Sequence, residues 1–153
     1  MSTGRTAATV AAAFVVSQVL AIAIHGFILA QDYAPFYGKL LRSPDGGAWQ
    51  MGLLPVVHLV FISTIVWFYS RLRLEGTRLK RGLILGTAAW AVGQVPVWLL
   101  WYAEQPWPGD LVLKQLGLEL VSSLIIGLTI VAVAGDRLSA ANAARENRVP
   151  IST

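Results

Sequence analysis

The sequence contains no cysteine. This absence excludes disulfides, thiolate metal sites and thiol catalysis within the chain. Charged residues are also scarce, at 13% of the 153 residues, whereas an ordinary soluble domain carries about 25%. Because 56% of the residues are hydrophobic, a soluble protein of this size could not bury them all in one core. The composition therefore predicts a single membrane domain over residues 1–153.

The sequence also lacks the local motifs of several enzyme classes. It contains no Walker A motif, no G-x-S-x-G nucleophile elbow, no H-E-x-x-H zinc motif and no GxGxxG loop. The polar stretches between its apolar segments are too short to form a separate catalytic domain. A non-enzymatic role is therefore favoured, and no catalytic residue is predicted.

Acidic residues are fewer than basic ones, and the formal net charge is +4. A basic balance is typical of nucleic-acid binding when the basic residues form one patch. Here they flank apolar segments, where basic residues act as topology signals and face anionic lipid head groups. We therefore expect the lipid bilayer, and not a nucleic acid, as the partner of this chain.

Four long apolar segments are present, over residues 7–30, 51–70, 82–103 and 111–135. A helix rises about 1.5 Å per residue, so each segment can cross a hydrocarbon core about 30 Å thick. Short connections favour antiparallel neighbours. The predicted fold is all-α, an integral membrane four-helix bundle in up-down-up-down order. A loop is expected over residues 31–50, and a polar cytoplasmic tail over 136–153.

A cleaved signal peptide is the alternative interpretation of the first segment. Ala21-Ile22-Ala23 offers a small-x-small cleavage site. However, the apolar run is longer than the roughly 7–15 residues of a signal peptide, and only Arg5 precedes it as a basic residue. We therefore expect residues 7–30 to remain as a membrane helix.

The distribution of basic residues predicts the orientation. With both termini in the cytoplasm, nine lysines and arginines lie on the inner side and three on the outer side. The inner ones are Arg5, Arg71, Arg73, Arg78, Lys80, Arg81, Arg137, Arg145 and Arg148, and the outer ones are Lys39, Arg42 and Lys114. The positive-inside rule favours this orientation.

The first segment ends in the sequence HGFILAQDY, over residues 25–33, and three more apolar segments follow. In this arrangement the chain resembles small four-helix bacterial inner-membrane proteins of unassigned function. The resemblance implies a multi-pass protein of the cell inner membrane. It assigns no role to any residue.

Every apolar segment contains polar side chains within its length. They are Gln18 and His25 in the first, His58 in the second, Gln94 in the third, and Gln115 and Glu119 in the fourth. Counted from the outer boundary, Glu119, Gln94 and His58 lie about 12 Å deep and His25 about 8 Å deep. Since half the hydrocarbon core is about 15 Å, we expect one polar site in the outer leaflet. Glu119 is its predicted floor, with His58 and Gln94 as nearest neighbours.

The carboxylate of Glu119 is unfavourable inside a membrane unless other groups accommodate it. Beside a histidine it can exchange a proton near neutral pH, which predicts a site that binds or passes a proton or a small solute. A bundle this small needs a homo-oligomer to form a path across the membrane. The alternative interpretation is a polar cluster that only specifies helix packing, in a structural or assembly subunit of a membrane complex.

The two histidines leave further alternatives open. His25 and His58 lie on adjacent predicted helices, as the axial ligands of b-type haem do in bundles, so a haem- or quinone-binding redox subunit is one alternative. His25, His58 and Glu119 also match a zinc or iron ligand set, although their spacing is not a metal-binding motif. We predict neither a cofactor nor a metal from these signals.

The third segment carries small residues on one stripe. They are Gly82, Gly86, Ala89 and Gly93. The stripe includes one GxxxG sequence, which lets another helix backbone come close. We expect an internal helix contact here rather than a dimer interface.

Overall fold

A computed structural model describes residues 2–42 and 48–135, with only the backbone described for residues 48–51. All regular elements within these ranges are helical. The predicted tail over 136–153 and the turn-forming residues 43–47 lie outside the described residues.

Four long helices account for most of the described residues. The first is α-helical over Thr3–Ala21 and π-helical over Ile22–Ile28, the second is α-helical over Ala48–Arg71, the third is Arg78–Glu104, and the fourth is Gly109–Ala134. The third contains a π-helical turn, Trp90–Gln94, between α-helices Arg78–Ala89 and Val95–Glu104.

The predicted membrane segments are confirmed as four helices that are long and apolar enough to cross a bilayer. Their ends differ from the predicted ones because local capping extends them. The Ser2 side chain accepts a hydrogen bond from the Arg5 backbone N–H at 3.4 Å, so the first helix begins at Thr3. The Thr77 side chain caps the third helix in the same way, by accepting from the Lys80 N–H at 3.2 Å.

The predicted loop over 31–50 is wrong at both of its ends. A short α-helix, Ala30–Tyr33, and a 3₁₀ turn, Ala34–Phe36, directly follow the first helix. The second helix already begins at Ala48. The first of these differences brings Tyr33 back over the bundle, where its side chain is buried.

The third and fourth helices meet through glycines, as the small-residue stripe predicts. A methyl group built on Gly127 would lie 2.6 Å from the Gly86 backbone nitrogen, and one built on Gly86 would lie 2.7 Å from the Leu124 Cα. Both distances are shorter than any real carbon contact, so only hydrogen fits between the two backbones. A methyl group built on Gly93 would lie 2.7 Å from the Phe61 ring of the second helix.

The buried side chains form two clusters at opposite ends of the bundle. The cluster that we call the basic-end core draws on all four helices and consists of Ala13, Ile62, Val66, Tyr69, Leu85, Ile126, Ile130, Val131 and Ala134. The tryptophan-end core, among the side chains that the structure describes, consists of Ile24, Leu29, Tyr33, Trp98, Trp107, Leu111 and Val112.

Most of the apolar surface of the helices faces outward. In the most apolar stretch of each helix, between 17% and 33% of the residues are buried inside the chain. A protein in water would leave this surface exposed at a large free-energy cost, whereas lipid chains solvate it. The exposed surface and the helix lengths together identify a membrane protein.

The glycine contact yields a first prediction. Gly127→Ala should lower the free energy of unfolding by about 1–3 kcal/mol, because the added methyl group must push two backbones apart. Gly117→Ala on the same helix is the matched control, since a methyl group there meets nothing within 4 Å. The midpoint of unfolding in a detergent-to-SDS titration measures both. Equal midpoints for the two variants would show that the close approach of the two helix backbones does not stabilise the protein.

Candidate functional site

Four side chains from three elements form a closed hydrogen-bonded ring. His25 Nε2 lies 3.3 Å from Glu119 Oε1, and Gln115 Nε2 donates to the same oxygen at 3.0 Å. The Tyr33 hydroxyl donates to Gln115 Oε1 and lies 3.2 Å from His25 Nδ1. Each of the four residues thus contacts two others, and we call this group the polar ring.

Local backbone structure positions each member of the polar ring. Gln115 and Glu119 lie one turn apart on the fourth helix and therefore share a face. His25 lies in the π-helical turn, where the Leu29 N–H donates to the Ile24 carbonyl, five residues earlier, at 2.8 Å. Such turns insert one extra residue and often occur at functional sites. Tyr33 reaches the ring from the short helix that follows.

Hydrogen-bond directions around the polar ring are determined by the groups that can only donate or only accept. Burial raises the pKa of the Tyr33 phenol, and the Glu119 carboxylate raises it further. The phenol therefore keeps its proton and donates it to Gln115 Oε1, which is an acceptor only. The phenol oxygen can then accept from an Nδ1–H of His25. This leaves Nε2 of His25 to face Glu119.

The contact between His25 and Glu119 is the loosest part of the polar ring. A charge-assisted N–H···O hydrogen bond is about 2.7–2.9 Å long, and the Nε2–Oε1 distance is 3.3 Å. The His25 side chain is also 40% exposed, compared with 14% for Glu119. The pair is therefore accessible from the His25 side.

An ion pair lies directly beside the polar ring. Lys114 Nζ donates to both carboxylate oxygens of Asp32, at 3.0 and 3.2 Å. Lys114 precedes Gln115 and Asp32 precedes Tyr33, so the pair joins the same two elements as the Tyr33–Gln115 bond. Both side chains are partly exposed, so the pair adds at most about 1 kcal/mol.

The third helix supports the fourth helix next to the polar ring. The Trp90 indole N–H donates to the Leu116 backbone carbonyl at 2.9 Å. Trp90 begins the second π-helical turn, where the Val95 N–H bonds back to the Trp90 carbonyl. Pro96 follows and has no N–H of its own to donate. The turn lets the helix accommodate this proline.

The predicted site residues are brought together in part. His25, Gln115 and Glu119 meet in the polar ring, but Glu119 does not use His58 and Gln94 as its hydrogen-bonding neighbours. Gln94 is half-buried, and within the described ranges its side chain forms no hydrogen bond. Gln18 Nε2 is buried without a hydrogen-bond partner among the same residues.

His58 lies near the polar ring but bonds elsewhere. Its Nδ1 is 3.4 Å from Ser17 Oγ. The Ser17 hydroxyl donates its proton to the Phe14 carbonyl at 2.8 Å, so the Nδ1–H of His58 is the donor in this contact. Glu119 and His25 both lie within electrostatic range of the His58 ring.

Tyr33 is a member of the polar ring that the sequence did not reveal. Tyr33 lies beyond the apolar segment, where an aromatic residue is ordinarily a head-group contact. Its partner Gln115 is 82 residues away along the chain, so no local pattern joins them. The polar residues Gln31 and Asp32 beside it were the only available signal, and they suggested a loop.

The contacts of His25 decide whether it is available as a haem or metal ligand in this structure. Both ring nitrogens of His25 are engaged, one by Tyr33 and one by Glu119. Axial ligation of haem by His25 would break the polar ring. Within the described ranges no three histidine, aspartate or glutamate side chains are grouped to hold a metal ion, so His25, His58 and Glu119 do not form the ligand set considered above.

No protein-family model, curated protein or solved structure matches this chain. Functional inference therefore depends on the geometry and chemistry of the polar ring itself.

The polar ring yields a second prediction. Tyr33→Phe removes a buried hydroxyl and leaves Gln115 Oε1 and His25 Nδ1 without their partner. We expect a loss of about 1–3 kcal/mol in the free energy of unfolding. Tyr37→Phe, at an exposed tyrosine nearby, should change it by less than about 0.5 kcal/mol. Thermal unfolding in detergent micelles compares the two, and an equal small effect would mean that the ring contributes little.

Proposed function

We propose that this chain is a non-enzymatic protein of the cell inner membrane whose polar ring binds and exchanges a proton. Its helices run in up-down-up-down order, with both termini in the cytoplasm and the ring in the outer leaflet. The observation that carries the proposal is the closed ring, in which His25 Nε2 faces Glu119 Oε1 at 3.3 Å, and we infer that these two atoms share one proton.

The shared proton can lie on either atom without breaking the ring. With the proton on Nε2, an imidazolium faces a carboxylate. With the proton on Oε1, a carboxylic acid donates to a neutral imidazole. Both arrangements are neutral overall, and both keep Nδ1–H pointing at the Tyr33 oxygen. Neutrality is what makes the pair tolerable inside a membrane.

Loss of the shared proton has a different consequence. The Nε2 lone pair would then face a carboxylate oxygen, and the two would repel each other. Either His25 turns away from Glu119, or its remaining proton moves to Nε2 and the Nδ1 lone pair faces the Tyr33 oxygen. In both cases the ring opens at a contact of His25. A change in proton occupancy is thereby converted into a movement of the first helix end, which contains the π-helical turn. Two-state elements of this kind underlie pH-dependent switches.

The surroundings of the ring favour binding over conduction in a single copy of the chain. Ser122 and Ser123 continue the polar face of Glu119 for one further turn and are both buried. Beyond them lies the basic-end core, in which the only polar side-chain group among the described residues is the Tyr69 hydroxyl. Passage of a proton across the membrane would therefore require a homo-oligomer.

A structural role is the second candidate. In this alternative, the ring satisfies the hydrogen bonds of Glu119 and specifies helix order in a subunit of a larger membrane complex. The outward-facing apolar surface of the second helix favours this candidate, because a partner helix could cover it. The two candidates differ in whether His25 and Glu119 change protonation together.

The shared proton yields a third prediction. In nanodiscs, ¹⁵N-labelled His25 and the ¹³C-labelled Glu119 carboxyl should follow one common titration curve, because they share a proton. His58→Asn leaves His25 as the only histidine, and a Glu119→Gln difference spectrum assigns the carboxyl signal. Glu104→Gln, at an exposed glutamate, should leave the His25 signal unchanged. Two independent curves, or no titration of either group, would favour the structural candidate.

The orientation yields a fourth prediction, which the lack of native cysteine makes easy to check. Pro106→Cys should react with a membrane-impermeant maleimide in intact cells. Glu75→Cys should react only after the membrane has been permeabilised. Both positions are exposed and lie between helices. The reverse pattern would place the polar ring in the inner leaflet.

A further inference from the structure

A groove lies between the first and second helices, at the opposite end of the first helix from His25. Its volume is about 450 Å³, and its lining residues are Thr6, Val10, Ser63, Thr64, Trp67 and Ser70. This volume falls within the range of small-molecule sites, which is about 300–1,000 Å³. The groove is open to the surroundings of the bundle, since the Trp67 side chain on its wall is 53% exposed. Lipid can therefore reach it directly.

The floor of the groove is apolar. Val10 is partly buried and packs against the basic-end core. Two of the four hydroxyl groups in the lining are already bonded within their own helices. Thr6 Oγ1 donates to the Ser2 carbonyl at 3.2 Å. Thr64 Oγ1 donates to the Val60 carbonyl at 2.9 Å. Because such bonds satisfy the hydroxyl proton locally, the groove can accept a hydrocarbon chain.

A guanidinium group lies at the mouth of the groove. Arg71 Cζ lies 5.4 Å from the centroid of the Trp67 ring, which forms part of the groove wall. Arg71 ends the second helix and directly follows Ser70, another lining residue. Ser63 lies about 12 Å further along the helix, towards the middle of the bundle. The groove thus runs from a cation at the membrane edge into the hydrocarbon layer.

The charge around the mouth favours an anion. Among the described residues at this end of the bundle, Glu75 is the one acid, whereas the basic residues are Arg5, Arg71, Arg73, Arg78, Lys80 and Arg81. A guanidinium that lies over an aromatic ring keeps the N–H groups at its edge available, and these match phosphate oxygens in a two-point contact. Arg71 is therefore placed to bind a phosphate group at the mouth.

We propose that this groove binds one anionic phospholipid. The phosphate accepts hydrogen bonds from Arg71, and one acyl chain lies against Trp67 and Val10. The inference takes only the orientation from the proposed function, because the cytoplasmic leaflet is the one that carries anionic lipid. It does not involve the polar ring.

The shape and charge of the groove select this occupant. A soluble phosphate would leave the apolar floor uncovered. A helix is about 10–12 Å in diameter, so a helical segment of the same length would have roughly twice the volume of the groove. Phosphatidylcholine would bring a second cation to an end of the bundle where basic residues are already in excess. An acyl chain with an anionic head group satisfies all three conditions.

Native mass spectrometry tests the inference on the full chain, released from detergent with equal amounts of phosphatidylglycerol and phosphatidylcholine. We expect one phosphatidylglycerol to be retained in preference to phosphatidylcholine. Arg71→Gln should weaken this retention about five-fold, the usual contribution of one basic residue at a membrane surface. Arg73→Gln removes the same charge beyond the end of the helix and should have little effect. Equal retention of the two lipids, or equal losses in the two variants, would overturn the inference.

A second pair of variants tests the groove itself. Thr64→Trp fills the groove from an exposed position and should abolish the preference for phosphatidylglycerol while Arg71 is still present. Leu59→Trp adds the same side chain on another face of the second helix, at a residue that is 44% exposed, and should leave the preference unchanged. Equal lipid retention by these two variants would count against the groove as the binding site.

The same spectra distinguish the other occupants. Excess glycerol phosphate has no acyl chain and should not displace the lipid, so displacement would show that only the phosphate is bound. If a second copy of the chain fills the groove, the wild type should be a dimer that Thr64→Trp dissociates, and this result would also overturn the inference. Loss of lipid binding while His25 and Glu119 still titrate together would leave the proposed function intact.

Discussion

The carboxyl group of Glu119 is the constraint on which the rest of the arrangement depends. A lone carboxylate in hydrocarbon is so unfavourable that it must be protonated or paired. Here the first helix brings His25 to within 3.3 Å of it, and the fourth helix supplies Gln115 one turn away. Tyr33 completes the ring from outside the long helices. Three separate elements are thus held together by the hydrogen bonds of the ring that surrounds this one carboxyl group.

Glycine packing determines where that side chain lies. Gly82, Gly86 and Gly127 let the third and fourth helices approach until their backbones touch. Van der Waals packing of this kind drives helix association in lipid, where burial of apolar surface gives no advantage. The Trp90 indole then binds the Leu116 carbonyl, one residue from Gln115. The fourth helix is therefore held in place on one side while His25 approaches it from the other.

Neutrality allows the proposed proton exchange to take place inside a membrane. A pair that shares one proton has no net charge in either form, so it can lie in the membrane and still change state.

The sequence by itself determined the membrane setting, the number of long helices and the glycine contact. These follow from composition, segment length and residue spacing, which act locally along the chain. It also identified His25, Gln115 and Glu119 as polar residues of comparable depth. Their partners could not be derived, because depth specifies the height of a side chain and not the direction in which it points. The π-helical turn at Ile22–Ile28 changes the direction in which the His25 side chain points, and no residue pattern predicts this turn.

Only the tertiary structure decided that Tyr33 belongs to the ring and that His58 bonds to Ser17. Tyr33 and Gln115 are 82 residues apart, and the short helix that returns Tyr33 to the bundle lies in a stretch with ordinary loop composition. The packing of the second helix against the first was likewise decided by the tertiary structure, since its apolar residues suit lipid and protein equally well. Hydrophobicity determines which residues leave water, whereas shape and hydrogen-bond direction determine which residues meet.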